Sequence, residues 1–332
     1  MKGSEQQPPH GRVSVIIPTR DRPALLREAV ESLLRQTRPA TEIIVVDDGS
    51  RAENFPEIDD IGRMHASISI FKLPENSGVT AARNFGLERA SGNFVVFFDD
   101  DDLLHPRALE LNEDFFAAHP ASDIVICRSR MFLTAESAPN CAPEQHPSCR
   151  PAKFWLIDQF DGKRLERNPI REILRFAVPI NAIMFRRKCL GTSAFQVDLR
   201  MGEDRLLLLN LARRGCRFAF HPTILSFIRI HAGNAQTEPA AARAPIPYLL
   251  SLLSGDMLTT NHDRFICHAR LLQIFQYLHD RSLWPHLRFL LRFPHLFLFY
   301  TSWYMIIQFK KKKRRRHLAL TAVPETEERK RS

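Results

Sequence analysis

Several things are missing from this chain of 332 residues, and each absence removes a class of protein. Its six cysteines, at 127, 141, 149, 189, 216 and 267, include no CxxC pair, and no histidines stand at zinc-finger spacing. A zinc module is therefore excluded, and the cysteines read as reduced cytosolic thiols. There is no GxxxxGK[ST] loop and no GxGxxG after the first strand-like run, so phosphate charge must be met by metal and side chains. Residues 1–12 are polar with two prolines and no apolar core, so no secretory signal is visible and a cytoplasmic catalytic body is expected. Internal repeats are absent. A membrane span is marginal: within the aromatic-rich segment 283–309 the longest stretch free of Lys and Arg, 293–309, has 17 residues and includes Pro294 and His295, which favours an interfacial or re-entrant helix. A bilayer needs roughly 20, and extending the stretch through Arg292 would cost roughly 2.5 to 3.5 kcal/mol at the bilayer centre.

What is present belongs to a folded, water-facing protein. The apolar fraction is 44% and the charged fraction 25%, ordinary values for globular chains, and the length allows about two units. The net charge of +10 suggests nucleic acid at first sight, but seven of those charges form the run 310–316, leaving +3 for the rest. A nucleic-acid reader spreads Lys and Arg over a folded face. Here the basic run directly follows an apolar segment containing Trp303, Tyr304, Ile306 and Ile307. Interfacial aromatics followed by cations suit an anionic leaflet, although the run also reads as a solvated or nuclear-type charge block. We expect a catalytic domain over 12–236, a helical membrane-associated region over 245–317, and a flexible tail over 318–332.

Residues 13–17 are apolar and β-branched and end at Pro18, the pattern of a buried parallel strand. A helix follows, with Asp21 as its expected N-cap, Pro23 in its first turn, and Leu26, Ala29, Val30, Leu33 and Leu34 on one face. Strands are expected at 43–46, 68–71 and 94–98, with a helix over 78–90, giving the order βαββαβ and a mostly parallel sheet. Further on, 106–119 reads as helix, 124–127 as strand and 135–152 as a Pro-rich mobile loop. Strands at 182–185, 218–220 and 224–230 and a helix over 203–214 complete the pattern.

Two of the strands end in acid. Asp47 and Asp48 precede Gly49-Ser50, and 94–98 runs into Asp99, Asp100, Asp101 and Asp102. Neighbouring carboxylates at ~5 Å repel by about a kcal/mol even with solvent screening, and a bound cation offsets that. Mg2+ and Mn2+ take one or two protein carboxylates together with phosphate oxygens. The blander reading is a solvated acidic turn ahead of a helix N-terminus. Two such turns along one edge of an open α/β sheet, where ligands bind, favour the diphosphate site.

The segments VSVIIPTRDR, EIIVVDDGS, NSGVTAARNFGLERASG and FVVFFDDDDLLHP, in that order and spacing, resemble the family 2 glycosyltransferases of GT-A fold, over about residues 13–236. The resemblance implies a nucleotide-sugar donor, a divalent cation (Mg2+ or Mn2+) and transfer with inversion. It puts the uracil-contacting aspartate at Asp48, with Pro18, Thr19 and Arg20 flanking the base and Arg83 facing the diphosphate. The DxD pattern falls on Asp99 and Asp101, with Asp99 or Asp100 near the ribose and Asp101 as the main metal ligand; fourfold Asp leaves the register open by one. MGEDRLLLLNLARRG resembles the acceptor-side helix and implies Asp204 as base, whereas the residues alone allow Glu203-Asp204 to be dipole-complementing acids. Ile228 to Asn234 resembles the closing segment, which implies that His231 assists the leaving diphosphate.

The expected function is a metal-dependent inverting glycosyltransferase of hexosyl type at the cytoplasmic membrane face. Its expected donor is a nucleotide-sugar, UDP-linked as is commonest in the family, and its expected acceptor is lipid-linked or an envelope polysaccharide. The alternatives are a metal-dependent nucleotidyltransferase or phosphohydrolase, and a non-catalytic scaffold of the same fold.

Overall fold

Val13, Val15, Ile16 and Ile17 are satisfied only by burial on both faces, and β1 (Val13–Thr19) is buried at every position. It lies between β2 (Glu42–Asp47) and β4 (Phe94–Phe97), parallel to both, and β3 (Ile68–Lys72) adds to the far side of β2. This is a computed structural model that describes residues 11–133, 149–150, 161–176, 178–197 and 202–230, together with Asp263 and Cys267. Contacts divide the chain into Met1–Met257 and Leu258–Ser332, and every element described below belongs to the first unit.

Helices α1 (Pro23–Leu34), α2 (Phe55–Gly62) and α3 (Val79–Arg89) connect the parallel strands. The expected βαββαβ order lacked α2. That helix has eight residues and buries only Ile58 and Ile61, too short a stripe to show helical periodicity. Asp21 is not the cap of α1: the cap position is Arg22, with no side-chain cap bond, and Pro23 opens the helix. Asp21 instead takes a left-handed backbone, φ 55°. Its carboxylate accepts from the Arg51 amide at 2.9 Å and the Asn54 side chain at 2.8 Å, fastening this turn to the loop after β2.

The other half of the sheet is mixed. β8 (Ile183–Arg186) runs antiparallel to β4 and to β6 (Ile124–Leu133), and β9 (Phe218–Ile230) runs parallel to β6. The short β5 (Leu103–Leu104) pairs antiparallel with β9, and β7 (Cys149–Arg150) with β6. The order is β3-β2-β1-β4-β8-β6-β9-β5. The expectation of a mostly parallel sheet therefore holds for β1 to β4 and for the β6–β9 pair, but not for the sheet as a whole. Four other pairings, all involving β5, β7 or β8, are antiparallel. The strands expected at 218–220 and 224–230 are one strand. An irregularity opposite Cys127 and Arg128 absorbs Pro222, which a regular ladder would not accommodate.

The remaining helices are α4 (Ala108–Ala118), α5 (Gly162–Arg167), α6 (Pro169–Arg175), α7 (Arg187–Leu190) and α8 (Glu203–Arg213), with a 3-10 turn at Ile180–Ala182. Among the described residues no helix is long and apolar enough to cross a membrane. The expected membrane-associated region, its basic run, the tail, and the domain boundary expected between 236 and 245 lie outside the described residues, Asp263 and Cys267 apart. The loop expected over 135–152 also lies outside them except for β7.

The position of α3 matters most for the site. It lies so close on the sheet that a Cβ at Gly86 would stand 2.4 Å from Ile16 Cγ2 and 3.4 Å from Val46 Cγ2. Both neighbours are buried and β-branched, so they cannot swing aside. Alanine is the better helix former by about 1 kcal/mol, yet Gly86→Ala should destabilise the fold by roughly 1–3 kcal/mol through overpacking. A urea melt of the variant against wild type measures this; equal or greater stability would show that α3 can withdraw from β1 without cost.

Candidate active site

Because β1 pairs in parallel with both β2 and β4, the three chains leave the sheet at the same carboxyl edge, with Thr19 opposite Asp47. The two acidic turns therefore flank the end of β1, as the motif order implied. Asp47 turns inward, where its Oδ1 accepts from the Ser50 amide at 3.0 Å and from the Ser50 hydroxyl. Asp48 reaches across to the start of α3 and accepts from the amides of Ser77 at 2.7 Å and Gly78 at 2.9 Å. The turn between them requires glycine: Gly49 has φ 70°, and a Cβ there would stand 2.6 Å from the Asn76 amide nitrogen. Pro18 is buried in β1, and Arg20 is exposed beyond it.

The four aspartates after β4 each have different partners. Asp99 receives the Arg83 guanidinium at 2.6 Å and is the most open of the first three, its side chain 36% exposed against 8% for Asp100 and 12% for Asp101. Asp100 accepts from the Thr19 hydroxyl at 2.7 Å. Arg22 Nη1 lies 3.4 Å from Asp100 Oδ1 and 3.1 Å from Asp101 Oδ2. Asp102 faces into the fold, accepting from the Asn181 side chain and, at 2.9 Å, from the Arg229 amide. Arg229, itself 1% exposed, donates through Nε to the Asp101 carbonyl at 2.8 Å and pairs with Glu28 at 2.6 Å. Its guanidinium lies 5.0 Å from the Phe132 ring centroid. Asp102 is thus bound into the turn's support, which leaves Asp99, Asp100 and Asp101 at the crevice.

Burial and mutual repulsion set the electrostatics. Asp100 is pushed up to about 7 by burial and by the charge of Asp101, against the opposing pull of Arg22. Burial raises Asp99 despite Arg83, and it lifts Asp102 well above the usual carboxylate range, with Asp101 and Asp99 adding to the shift. Carboxylates held in this condition attract cations. Among the described residues no three His, Cys, Asp or Glu side chains form a complete metal cage. One or two carboxylates beside a diphosphate are what Mg2+ or Mn2+ needs, so the residues fit such an ion.

Helix α8 opens at Gly202 in a left-handed conformation, φ 81°, with Glu203 and Asp204 in its first turn. Arg83, 3% exposed, bridges the two sides, pairing with Glu203 at 2.9 Å as well as with Asp99. The sequence-based expectation aimed Arg83 at the diphosphate; in the structure it holds β4 and α8 to α3. Burial and the neighbouring Glu203 push the Asp204 carboxyl up to about 6, although the Arg205 amide donates to it at 2.6 Å. One residue further along α3, Asn84 fixes the segment ahead of α8, donating to the Phe195 carbonyl at 2.7 Å and accepting from the amides of Ala194 and Phe195. His231 lies outside the described residues, immediately after the end of β9.

The sequence reading missed Arg22, Asn181, Arg229 and the pairing role of Glu203. Two of them had a local signal. Arg22 stands inside TRDR two residues after Arg20, a candidate site residue, and Arg229 is a charge set between two isoleucines in a strand-like run. Asn181 had none.

An α/β sheet with acidic turns at the carboxyl ends of its parallel strands and a mixed extension is the GT-A architecture. Residues 14–189 match the model of the glycosyl transferase family 2, and the chain belongs to that family. An uncharacterized glycosyltransferase of Haemophilus influenzae is 34% identical over 103 residues, which is 31% of this chain and 41% of the relative. The amylovoran biosynthesis glycosyltransferase AmsE of Erwinia amylovora is 26% identical over 230 residues, 67% of this chain and 76% of the relative. The chain spans between 15% and 41% of the first four curated relatives matched. Among solved structures, S. aureus TarS 1-349 in complex with UDP-GlcNAc has a TM-score of 0.56 at 20% identity, covering 82% of this chain and 75% of that one. The mannosyltransferase PcManGT from Pyrobaculum calidifontis, in complex with GDP-Man and Mn2+, has a TM-score of 0.56 at 18% identity, covering 89% and 83%.

The Arg83 bridge is testable by its energetics. Removing one partner of a buried ion network leaves uncompensated charge, so Arg83→Met should cost roughly 3–5 kcal/mol at neutral pH. Adding Glu203→Gln should restore part of that loss, because it removes one of the two stranded carboxylates. A denaturant-melt double-mutant cycle that gave simple additivity would show that the pair is not coupled.

Proposed function

We propose that this chain is a metal-dependent, inverting glycosyltransferase of hexosyl type that moves a sugar from a nucleotide-sugar, UDP-linked, to a lipid-linked or envelope-polysaccharide acceptor. One observation carries the reading. The Asp48 turn, held to the start of α3, lies at the same sheet edge as the Asp99 to Asp101 turn, and Arg83 on α3 joins that second turn to the acidic start of α8. Support comes from TarS with UDP-GlcNAc and PcManGT with GDP-Man and Mn2+, which share the fold, and from AmsE, whose name places it in amylovoran biosynthesis.

In this reading Asp48, with Pro18, Thr19 and Arg20, receives the base, and Asp99 or Asp100 lies near the ribose. Asp99 and Asp101 hold Mg2+ or Mn2+, which when bound neutralises charge on the leaving diphosphate. The acceptor hydroxyl attacks the anomeric carbon as the bond to the diphosphate oxygen breaks, the electron pair leaving with the diphosphate. Asp204 takes the hydroxyl proton on its carboxylate, and His231 assists the departing group. Asp102, occupied by Asn181 and Arg229, shapes the turn and has no ligand role. The segment 283–316 anchors the enzyme to the anionic cytoplasmic face of the membrane.

Incubation with Mn2+ and a panel of nucleotide-sugars should release nucleoside diphosphate; release of monophosphate or pyrophosphate instead would identify a phosphohydrolase or nucleotidyltransferase. A base must be deprotonated to act, and Asp204 sits at about 6. Below that pH kcat/KM should therefore fall about tenfold per unit, and above it level off. Asp204→Asn should retain nucleotide binding and lose transfer by roughly two orders of magnitude or more. Undiminished transfer would assign the base elsewhere. Separately, full-length chain should sediment with anionic vesicles while a chain ending at Asn234 should not; equal partitioning of the two would dismiss the anchor.

A further inference from the structure

Three arginines face the acidic turn, and they are not equivalent. Arg83 and Arg229 have side chains 4% and 1% exposed, each locked between partners from different elements. Arg22 is 35% exposed, and it meets the turn at the carboxylates of Asp100 and Asp101. Its backbone is held firmly: Asp21 before it is pinned by Arg51 and Asn54, and Pro23 after it opens α1. A rigid anchor with a partly exposed, long side chain is the arrangement of a group that can change partners without moving the fold.

Asp101, the expected main metal ligand, is therefore shared between Arg22 and any divalent cation bound at this turn. Two cations cannot both take closest position against one small group of carboxylates, since each raises the potential felt by the other. A guanidinium displaced from a carboxylate is matched to phosphate, which it binds through two parallel N–H donors. We propose that Arg22 competes with the divalent cation for Asp100 and Asp101, and that when the cation binds it transfers to the diphosphate of the donor. Arg22 is thereby a positioning residue that links cation binding to donor binding: it opposes the cation alone and supports cation and nucleotide together. The inference rests on the metal-dependent reading above and concerns which residue makes that dependence cooperative.

The test uses the full chain and two binding measurements rather than turnover. Mn2+ binding without nucleotide is followed by the electron paramagnetic resonance of the free ion, and UDP binding at saturating Mn2+ by calorimetry, for wild type, Arg22→Gln, Arg22→Lys and Asp101→Asn. Arg22→Gln should bind Mn2+ about fivefold tighter than wild type, the order expected when one part-exposed ion pair no longer competes. The same variant should bind UDP about fivefold more weakly at saturating Mn2+, as the loss of one such contact implies. Arg22→Lys, which keeps the charge, should stay near wild type for Mn2+ and fall between the two for UDP. Thermal melts of each variant establish that it is folded, and a purely structural Arg22 would change melting without tightening Mn2+. If Mn2+ binds wild type and is lost in Asp101→Asn but is equal or weaker in Arg22→Gln, the competition is wrong and the metal site stands. If neither wild type nor Arg22→Gln binds Mn2+ while UDP still binds, the metal-dependent reading fails and the inference with it.

Discussion

The turn after β4 concentrates four carboxylates within one turn of chain at the end of a buried strand, and the arrangement of the crevice depends on how that charge is met. Adjacent carboxylates repel by about a kcal/mol even at effective dielectrics well above that of a protein interior, and burial sharpens the effect. The counter-charges arrive from three separate elements: Arg22 from the start of α1, Arg83 from α3, and Arg229 from the end of β9. Each ties its element to the turn. Two of these guanidiniums, Arg83 and Arg229, also pair with Glu203 and Glu28, and burial, followed by the charge of Asp101, holds Asp100 high.

Arg83 gives the two sides of the site a common support. A guanidinium this deeply buried is tolerable only when both ends are paired, and its partners sit on β4's exit and on α8. A disturbance at either end reaches the other through one side chain rather than through a chain of contacts. Asn84 does the same for the backbone, fastening residues 194 and 195 to α3 with three hydrogen bonds. Gly86 makes both possible, since the closeness of α3 to β1 sets how far these side chains reach.

The mixed half of the sheet shapes the parallel half. Inserting β8 next to β4 brings the 3-10 turn at Ile180–Ala182 beneath the acidic turn, and Asn181 with it. The length of β9, continuous across its irregularity, carries Arg229 to the same place. A purely parallel sheet would have left Asp102 without these partners and the turn free to present any of its four carboxylates.

The sequence by itself determined β1, β2 and β4, because runs such as VSVII and FVVF are too apolar to lie anywhere but in a core. It also placed the acidic turns at strand ends and, through the family resemblance of ordered motifs, singled out Asp48, Asp99, Asp101 and Asp204 as candidates. It did not reveal α2, whose two buried isoleucines carry too little pattern, or the unity of β9, which Pro222 disguised. Only the tertiary structure decided which aspartate of four turns inward, because Asp102 is claimed by Asn181 and Arg229, 79 and 127 residues away in sequence. Four identical side chains in a row are equivalent to any local reading. They become different through partners that the sheet order brings to them, and hydrogen bonds between residues so far apart leave no mark in spacing or composition.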